Sequence, residues 1–385
     1  MPEHGGATAA APALGDVVAS ADTLRSAVRD FLAAERRAGG FEPRCDSWLV
    51  GFDRAFSRRL AAAGFVGITL PTLHGGAGLS PLHRFVVIEE LLAAGAPVAA
   101  HWFAERQIGP ALVKHGTRAQ QEEWIPRIVR GEASFAVGLS EPGAGSDLAA
   151  VRTSATKVDG GWTVQGTKLW SSNAHHADAI VALTRTEAAE RKHQGLTQLI
   201  VRLPDPTVAV NPIISLDGGH HFNEVVFDRT FVPDDMVLGV VGQGWSQVVS
   251  ELAFERSGPE RYLSTMPLLQ QLVSELPDAA VEAEEELGAL LAELATLREM
   301  SLDVARAMGE QGGPDPVAAS VVKDLGTRFE IETVAVAERL ARLVETPSPV
   351  LRRLLATARL QSPGFTLRGG TVEILRGIIA KGLVR

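Results

Sequence analysis

Apolar side chains recur every three or four residues along the first third of the chain, which is the spacing of one face of an α-helix. Residues 21–37 show the pattern most simply, and their apolar face comprises Leu24, Val28, Phe31 and Leu32. Residues 52–63 repeat it, and Gly64 follows where a helix commonly stops. A further helix is predicted to open at Ser80-Pro81, and a shorter one covers residues 117–130.

Between about residues 134 and 238 the period changes to that of β-strands. Residues 154–158 and 162–166 flank Asp159-Gly160-Gly161, which is a hairpin signal. Five more strand-like runs occur in the same segment: 135–139, 179–185, 198–203, 208–214 and 224–227. Because no helical pattern separates these runs, the segment is predicted to form a small antiparallel barrel or sandwich and not a parallel α/β sheet.

Helical spacing returns from Trp245 to the end of the chain. Residues 314–343 continue it after a leucine stripe made of Leu287, Leu290, Leu291, Leu294 and Leu297. The order of helices, strands and helices predicts an α+β protein. We expect an N-terminal helical domain (1–133), a middle antiparallel β-barrel domain (134–240) and a C-terminal four-helix bundle (241–385).

The amino-acid composition argues against several functional classes, including nucleic-acid binding and cysteine-rich metal binding. The 385 residues are 45% apolar and 22% charged, as in an ordinary globular protein. The formal charge of −9 argues against nucleic acid as the main partner. A single cysteine, Cys45, allows neither an internal disulfide nor a cysteine-rich metal site. Residues 1–15 lack the pattern of a signal peptide and no apolar run would span a membrane, so a cytoplasmic protein without membrane contact is expected.

Several common catalytic signatures are missing from the sequence. It contains neither a G-x-S-x-G nucleophile elbow nor a G-x-x-x-x-G-K-[ST] phosphate loop. Gly242-Gln-Gly244 does not continue into G-x-G-x-x-G. The histidines of the pairs His175-His176 and His220-His221 are adjacent, which is not ligand spacing on one helix face, so no metal site is expected.

Two segments carry candidate chemistry. The first, Leu139-Ser140-Glu141-Pro142-Gly143-Ala144-Gly145-Ser146-Asp147, ends a predicted strand in a glycine-rich turn. Its N–H groups and the Ser146 hydroxyl are suited to an anion or a carbonyl. The second, Lys168-Leu169-Trp170-Ser171-Ser172-Asn173, ends another strand with an aromatic ring and adjacent hydroxyls. Composition alone leaves open that both are ordinary turns.

Together these segments resemble the acyl-CoA dehydrogenase family, in which they read roughly (T/S)-E-P-x-A-G-S-D and K-x-W-(I/S)-(S/T)-N. Members are flavoenzymes that convert a saturated acyl thioester into an enoyl thioester. Four other stretches are similar to family motifs and follow in the family's order: residues 64–80, 115–132, 223–244 and 369–384. The resemblance therefore covers nearly the whole chain and implies FAD as the cofactor, an acyl thioester (most simply an acyl-CoA) as the substrate, and the family's architecture.

The resemblance also implies roles for individual residues. It assigns Leu139 and Ser140 to the pyrimidine side of the flavin ring, Trp170 to one face, and Ser172 to the edge that receives the hydride. Ser171 is implied as a further cofactor contact. Thr371 and Glu373 match terminal positions that touch the cofactor. Gly145 and Ser146 match the family's contacts with the flavin chain and the substrate arm. The residues implied beside the substrate are Ser146, Phe254 and Arg256.

The catalytic base departs from the commoner family pattern. Most members carry a glutamate directly before the terminal Gly-Thr, where this chain has Gly369. The isovaleryl- and long-chain members carry their base before an arginine on the helix that follows the barrel. Glu255, before Arg256, matches that position and is the predicted base. The alternative is an exposed glutamate paired with Arg256 or Arg261.

Two further departures concern assembly. The family's R-x-x-F-G and Q-x-x-G-G-x-G turns, which reach a neighbouring subunit's FAD, are missing from the corresponding residues 271–287 and 342–365. We therefore expect a homo- or hetero-oligomer with the flavin at an interface. The resemblance implies an electron-transfer flavoprotein as the electron acceptor. Two alternatives stay open: a partner subunit that completes another chain's flavin site, or a flavin oxidase or monooxygenase on the same fold.

Overall fold

The computed structural model describes residues 20–277, 280–311 and 315–384, and it leaves the side chains at 252–255, 282 and 311 undescribed. The segment 1–15, for which the sequence predicts no signal peptide, lies outside the described residues. Helices occupy the chain up to the first strand: α1 (Ala21–Arg37), α2 (Ser47–Val50), α3 (Arg54–Ala62), α4 (Pro81–Ala93), α5 (Ala99–Phe103), a π-helical turn (Ala104–Ile108), α6 (Gly109–His115) and α7 (Arg118–Val129).

Side-chain caps set where these helices begin. Ser20 Oγ accepts the N–H of Thr23 at 3.3 Å and starts α1 at the predicted residue. The predicted helix over residues 52–63 starts two residues later, because Asp53 Oδ1 accepts the N–H of Phe56 at 2.9 Å and so makes Asp53 the cap. Phe52 is thereby left outside α3, and its ring stacks on His176 with centroids 4.5 Å apart.

The middle of the chain forms one eight-stranded sheet with the order β6-β7-β3-β2-β4-β5-β8, and β1 pairs with β4. Its pairs are antiparallel except β1 with β4 and a single residue pair that joins β2 to β4. The strands are β1 (Phe135–Gly138), β2 (Ser154–Val158), β3 (Gly161–Lys168), β4 (Ala179–Arg185), β5 (Leu196–Arg202), β6 (Val208–Ile214), β7 (His220–Pro233) and β8 (Val237–Leu238).

Strand β7 is much longer than the four residues that the sequence pattern indicates. It runs over 14 residues because it pairs with both β3 and β6, so each edge of the strand finds a hydrogen-bonding partner. Buried residues alternate with less buried ones over its first half. The predicted hairpin between β2 and β3 forms as expected, with Gly160 at φ +71° in its turn.

The C-terminal part is helical, with α8 (Gly244–Glu255), α9 (Met266–Glu275), α10 (Val281–Gln311), α11 (Pro316–Leu340), α12 (Pro349–Gln361) and α13 (Val372–Leu383). Leu290 and Leu297 of α10 are buried, as the leucine stripe predicts. The inclusion of Leu291 in that stripe was wrong: its side chain is 57% exposed, because consecutive helical residues point about 100° apart.

Buried side chains form two large clusters. One joins the N-terminal helices to the C-terminal bundle and includes Trp48, Trp102, Leu268 and Phe329. The other fills the β-sheet and includes Trp124 of α7, whose ring meets Phe135 of β1 at 4.8 Å. The two helical regions therefore share one core, and the sheet lies against them. Among the described residues, no helix has the length and apolarity needed to cross a bilayer.

The buried His101 of α5 gives the fold a pH dependence. Its side chain is 5% exposed, and its Nδ1 lies 2.8 Å from the Ser57 Oγ. Burial lowers the pKa of His101 from its ordinary value of 6.5 to about 4. As the pH falls, the unfolded chain therefore binds this proton before the folded chain does. We expect the free energy of unfolding to decrease by about 2 kcal/mol between about pH 7 and pH 5 from this residue alone.

The variant His101→Gln tests that expectation, since an amide can still hydrogen-bond Ser57 but does not titrate. Urea unfolding of the wild type and the variant at both pH values is the measurement. The decrease between the two pH values should be about 2 kcal/mol smaller in the variant. An equal decrease in both proteins would assign the acid sensitivity to other groups.

Candidate active site

The two candidate segments meet at neighbouring strand ends. The first follows β1 and the second ends β3, and the Leu169 N–H donates to the Ser140 carbonyl at 2.8 Å. Below this backbone contact, Lys168 Nζ lies 2.7 Å from Glu141 Oε1 and 3.2 Å from the Leu139 carbonyl oxygen. The exposed fractions of the two charged side chains are 0% and 7%. The pair is therefore a buried ionic connection between the segments.

Glu141 is held from a third direction as well. Its carboxylate accepts the N–H groups of Arg152 at 2.6 Å and Thr153 at 2.9 Å. Burial alone would raise the pKa of Glu141, but the Lys168 charge and these hydrogen bonds lower it overall. Burial lowers the pKa of Lys168 to about 8, against the opposing effect of Glu141. Neither residue is among the predicted site residues, although both stand inside the two motifs.

The glycine-rich turn presents open backbone. Glu141 and Ala144 exchange backbone hydrogen bonds at 2.8 and 3.1 Å, which closes the turn. Added Cβ atoms at Gly143 and Gly145 would have no neighbour within 4 Å. Gly145 and Ser146 are exposed, whereas Leu139 and Ser140 are half-buried at the strand end. The turn therefore has free space in front of it, as a ligand-binding turn needs.

Trp170 presents its ring beside that turn. It is 55% exposed, and its backbone is left-handed at φ +62°, which is uncommon for a residue with a bulky side chain. The ring of Phe222 meets it edge-on, with centroids 5.6 Å apart and planes at 90°. Ser172 is half-buried two residues further on. An exposed, laterally supported indole next to a hydroxyl suits one face and one edge of a planar ligand.

The implied role of Ser171 is corrected by its position. The side chain is 0% exposed, and its Oγ has no hydrogen-bond partner among the described residues. Its backbone N–H donates to the Asn223 carbonyl at 3.0 Å, and its own carbonyl accepts the Asn223 side-chain amide at 2.9 Å. Ser171 therefore anchors the loop to β7 and has no exposed group for a cofactor.

Helix α2 connects the second segment to the turn at residues 367–370 (the terminal turn). Asn173 Nδ2 donates to the Leu49 carbonyl at 3.0 Å. From the other side, Arg368 forms an ion pair with Asp46, and its Nη2 lies 2.9 Å from Glu330 Oε2 and 2.8 Å from Ser264 Oγ. Arg368 also lies over the Trp48 ring, 5.0 Å from its centroid. The terminal turn and the Trp170 loop are thus fixed to the same short helix.

The predicted base lies at the end of α8. Glu255 is the last residue of this helix, and its side chain and that of Phe254 lie outside the described part of the chain. Arg256 is half-buried, and its Nε donates to the Gly369 carbonyl at 3.3 Å. The helix carrying position 255 is therefore joined to the terminal turn, where other family members carry their base.

Arg261 occupies the space in front of Gly369. An added Cβ at Gly369 would lie 2.7 Å from Arg261 Nη1, and the backbone there is left-handed at φ +67°. Gly370 is also left-handed, at φ +97°, with Arg256 Nη2 3.3 Å from an added Cβ. Beyond this turn, Thr371 precedes α13 and is half-buried, and Glu373 is exposed in the first turn of that helix.

This crowding predicts that Gly369→Glu does not restore the commoner arrangement of the base. A side chain at this φ costs roughly 1–2 kcal/mol, and contact with Arg261 adds to that cost. We expect a loss of at least about 2 kcal/mol in the free energy of unfolding. We also expect no recovery of activity when Gly369→Glu is added to Glu255→Gln. The control is Gly377→Glu on α13, where an added Cβ has no neighbour within 4 Å. Stability equal to that control, or a recovered rate, would contradict this account.

Three of the four histidines in these two pairs form a stack. The rings of His175 and His220 lie parallel within 15°, with centroids 3.9 Å apart, and His176 lies 4.0 Å from His175. Burial, and then the neighbouring His176 and His220, lower the pKa of His175 to about 4. His220 Nε2 lies 2.8 Å from Asn223 Oδ1, so the stack supports the loop that carries Trp170.

Helical structure replaces one glycine turn that the family usually carries. Residues 342–365, where Q-x-x-G-G-x-G is missing, consist largely of α12. The other turn, R-x-x-F-G, is missing from residues 271–287, which hold the end of α9 and the start of α10.

Comparison with known proteins gives a consistent assignment. The model of the acyl-CoA dehydrogenase N-terminal domain matches residues 19–132, and that of the middle domain matches residues 136–230. Acyl-CoA dehydrogenase IpdE1 of Mycobacterium tuberculosis is 42% identical over 203 residues, which are 53% of each chain. Acyl-CoA dehydrogenase FadE29 of the same organism is 31% identical over 344 residues, 85% of this chain and 87% of FadE29.

The solved structures agree with the sequence matches. In the ChsE4–ChsE5 complex from Mycobacterium tuberculosis, a chain with 26% identity superposes with a TM-score of 0.79, covering 95% of this chain and 98% of that one. The present chain spans about half the length of the curated relatives it matches first, with 53% of IpdE1 covered. FadE29 is covered over most of its length. The chain therefore belongs to the acyl-CoA dehydrogenase family.

Proposed function

We propose that this chain is an FAD-dependent dehydrogenase that introduces an α,β double bond into an acyl thioester, with an acyl-CoA as the simplest substrate. The observation that carries the proposal is the buried Glu141–Lys168 pair, which joins the open glycine turn to the loop presenting Trp170. A buried ion pair that fixes two exposed segments side by side would keep both in position for a ligand that contacts both of them. Family membership supports a flavin as that ligand.

The residues present fit an FAD ring. Trp170 offers an exposed aromatic face, and Ser172 offers a hydroxyl at the adjoining edge. In the proposal, Leu139 and Ser140 contact the pyrimidine side of the ring, and the open backbone at Gly145 and Ser146 receives the flavin chain and the substrate arm. Thr371 and Glu373 approach from the terminal helix. Bound flavin would supply the hydride acceptor, and the chain supplies binding, orientation and the base.

Glu255 is the proposed base, with Arg256 and Phe254 beside the substrate. An α-proton of a thioester is weakly acidic, so its removal needs a carboxylate whose pKa is raised by an apolar site. The connection of Arg256 to Gly369 holds the end of α8 against the terminal turn. Arg261 fills the space where the commoner base would project, which favours the position on α8.

The visible spectrum of the protein incubated with FAD tests this proposal. We expect a bound flavin spectrum that bleaches anaerobically on addition of at least one member of an acyl-CoA panel. Colourless protein after incubation with excess FAD, in the presence of any obligate partner, would contradict the proposal. Rapid oxygen consumption during turnover would favour an oxidase or monooxygenase on the same fold. Reoxidation by an electron-transfer flavoprotein would support that protein as the physiological partner.

The second candidate function is a subunit that shares a flavin site with an unlike partner. Both turns that usually reach a neighbour's FAD are missing here. One similar chain of known structure comes from the ChsE4–ChsE5 complex, which is built from two different proteins. FAD diphosphate needs cationic or N–H partners, and a second chain can provide them. We therefore propose an oligomer with each flavin at a subunit interface.

Native mass measurement with flavin counting distinguishes the assemblies. Co-purification of an unlike chain and one flavin per pair would support the heteromer. A homodimer with full flavin occupancy would exclude the heteromer and keep the interface. A monomer that holds one FAD per chain at low concentration would contradict both.

A further inference from the structure

A small aromatic-walled cavity lies between the N-terminal helices and α8. Trp48, Trp102 and Phe103 provide its apolar walls, and Ser250 and Glu251 line it from α8. The cavity is partly open to solvent and has a volume of about 120 Å³. A buried apolar cavity of about 150 Å³ holds a benzene molecule, so this cavity suits one small ring or a short branched chain.

The cavity lies next to the position of the proposed base. Glu251 precedes Glu255 by four residues, so it stands one helical turn away on the same face of α8. Glu251 is fixed there by the side-chain amides of Gln107 and Gln198, each 3.2 Å from its carboxylate. A thioester whose α-carbon reaches position 255 would therefore place its acyl group in or near this cavity.

Arg106 separates this cavity from a second one. It lines both, and the second cavity, of about 30 Å³, continues among apolar side chains that include Phe85, Ile88 and Met308. That smaller volume is about the space of a single water molecule. The arginine therefore stands between the aromatic cavity and the smaller cavity beside α4 and α10.

The Arg106 guanidinium is held firmly in this dividing position. The residue is 8% exposed, and its Nη2 forms an ion pair with Glu260, whose side chain is completely buried. Glu260 Oε1 also lies 3.5 Å from Arg261 Nε. On its other side Arg106 lies over the Trp102 ring, 5.4 Å from the centroid. Moving the guanidinium would break a buried ion pair. The free-energy cost of breaking it is about as large as the gain from burying roughly four methylene groups.

We propose that Arg106 closes the end of the acyl cavity and restricts the substrate to compact acyl groups, meaning short branched or single-ring ones. This inference rests on the proposed function, since it identifies the cavity as the acyl site. A straight chain that extends past Trp102 meets the charged pair before it can reach the apolar walls of the second cavity. Arg106 is thus a specificity-determining residue and takes no part in the proton transfer.

The test uses the FAD-loaded protein, with its partner if one is required, and alkyl thioethers of CoA with butyl, octyl and dodecyl chains. These analogues lack the carbonyl and are not oxidised, so their dissociation constants, measured by calorimetry, report binding alone. The first variant is Arg106→Leu. The second combines Arg106→Leu with Glu260→Gln, so that no unpaired carboxylate stays buried, and it replaces the first if Arg106→Leu alone fails to fold. Lys114→Met, which removes an exposed cation of the same cavity, is the matched control.

We expect the wild type and Lys114→Met to bind the dodecyl analogue at least about tenfold more weakly than the butyl one, a difference of about 1.4 kcal/mol. Removal of Arg106 should abolish or reverse that order. Equal chain-length profiles in the wild type and a folded Arg106 variant would overturn the inference and leave the proposed function standing. Tighter binding of the dodecyl analogue by the wild type would do the same. If the wild type binds no analogue of any length, the acyl-thioester function fails, and the inference fails with it.

Discussion

Replacing Glu255 with glutamine is expected to slow substrate-dependent flavin reduction by at least about a hundredfold, the usual contribution of a general base. Glutamine keeps the size of the side chain and can still hydrogen-bond, but its amide cannot accept the α-proton. Flavin content and thermal stability should stay close to wild type, because the substitution changes only the end of one side chain at the last residue of α8. Stopped-flow absorbance of the flavin, mixed anaerobically with an acyl-CoA, measures the rate.

The control for this variant is Glu284→Gln, which makes the same chemical change on an exposed face of α10. Its rate should equal that of the wild type. Wild-type reduction by Glu255→Gln would remove Glu255 from the mechanism. The alternative of an exposed glutamate paired with Arg256 or Arg261 would then explain this residue.

The second large effect is expected at the Glu141–Lys168 pair, which joins the two candidate segments. Lys168→Met leaves the Glu141 carboxylate 7% exposed without its partner, and breaking a buried ion pair in this way costs about 3–5 kcal/mol. Because the pair also fixes the glycine turn against the Trp170 loop, FAD affinity should fall in any protein that still folds. Urea unfolding and an FAD titration measure the two effects separately.

Two further variants give this prediction its controls. Lys168→Met combined with Glu141→Gln removes both charges and should recover a large part of the lost stability, since a neutral pair of similar size has no stranded ion. Lys157→Met removes a lysine that pairs with Asp234 at 2.7 Å but is 51% exposed, and it should cost at most about 1 kcal/mol. If Lys168→Met cost no more than Lys157→Met, the buried pair would not hold the site together.

Local patterns were sufficient to predict most elements of this fold. The helix Ala21–Arg37 and strands such as Ala179–Arg185 have the predicted bounds, because apolar periodicity and caps act over neighbouring residues. The length of β7 could not be predicted in this way, since it depends on pairing with β3 and β6, whose residues are distant in sequence. Leu291 shows the same limit, as several residues shared helical spacing and the packing selected among them.

The sequence motifs of the candidate site could be predicted, but the side-chain contacts between them could not. The sequence identified both segments, yet it did not show that Lys168 of one reaches Glu141 of the other, because that contact bridges 27 residues. It grouped Ser171 with Ser172, whereas the loop buries the first completely and leaves the second partly exposed. The absence of a carboxylate at position 369 was visible in the sequence. That Arg261 fills the space there follows only from the tertiary structure.

In the proposed reaction this chain removes two hydrogens across the α,β bond of an acyl thioester. The most direct measurement is an anaerobic single turnover of the FAD-loaded protein, with any obligate partner present, followed by mass spectrometry of the thioester. The account predicts a product that is two hydrogen atoms lighter than the substrate, formed in an amount equal to the flavin that is bleached. A product that has gained an oxygen atom, or bleaching of the flavin without that loss of hydrogen, would contradict it.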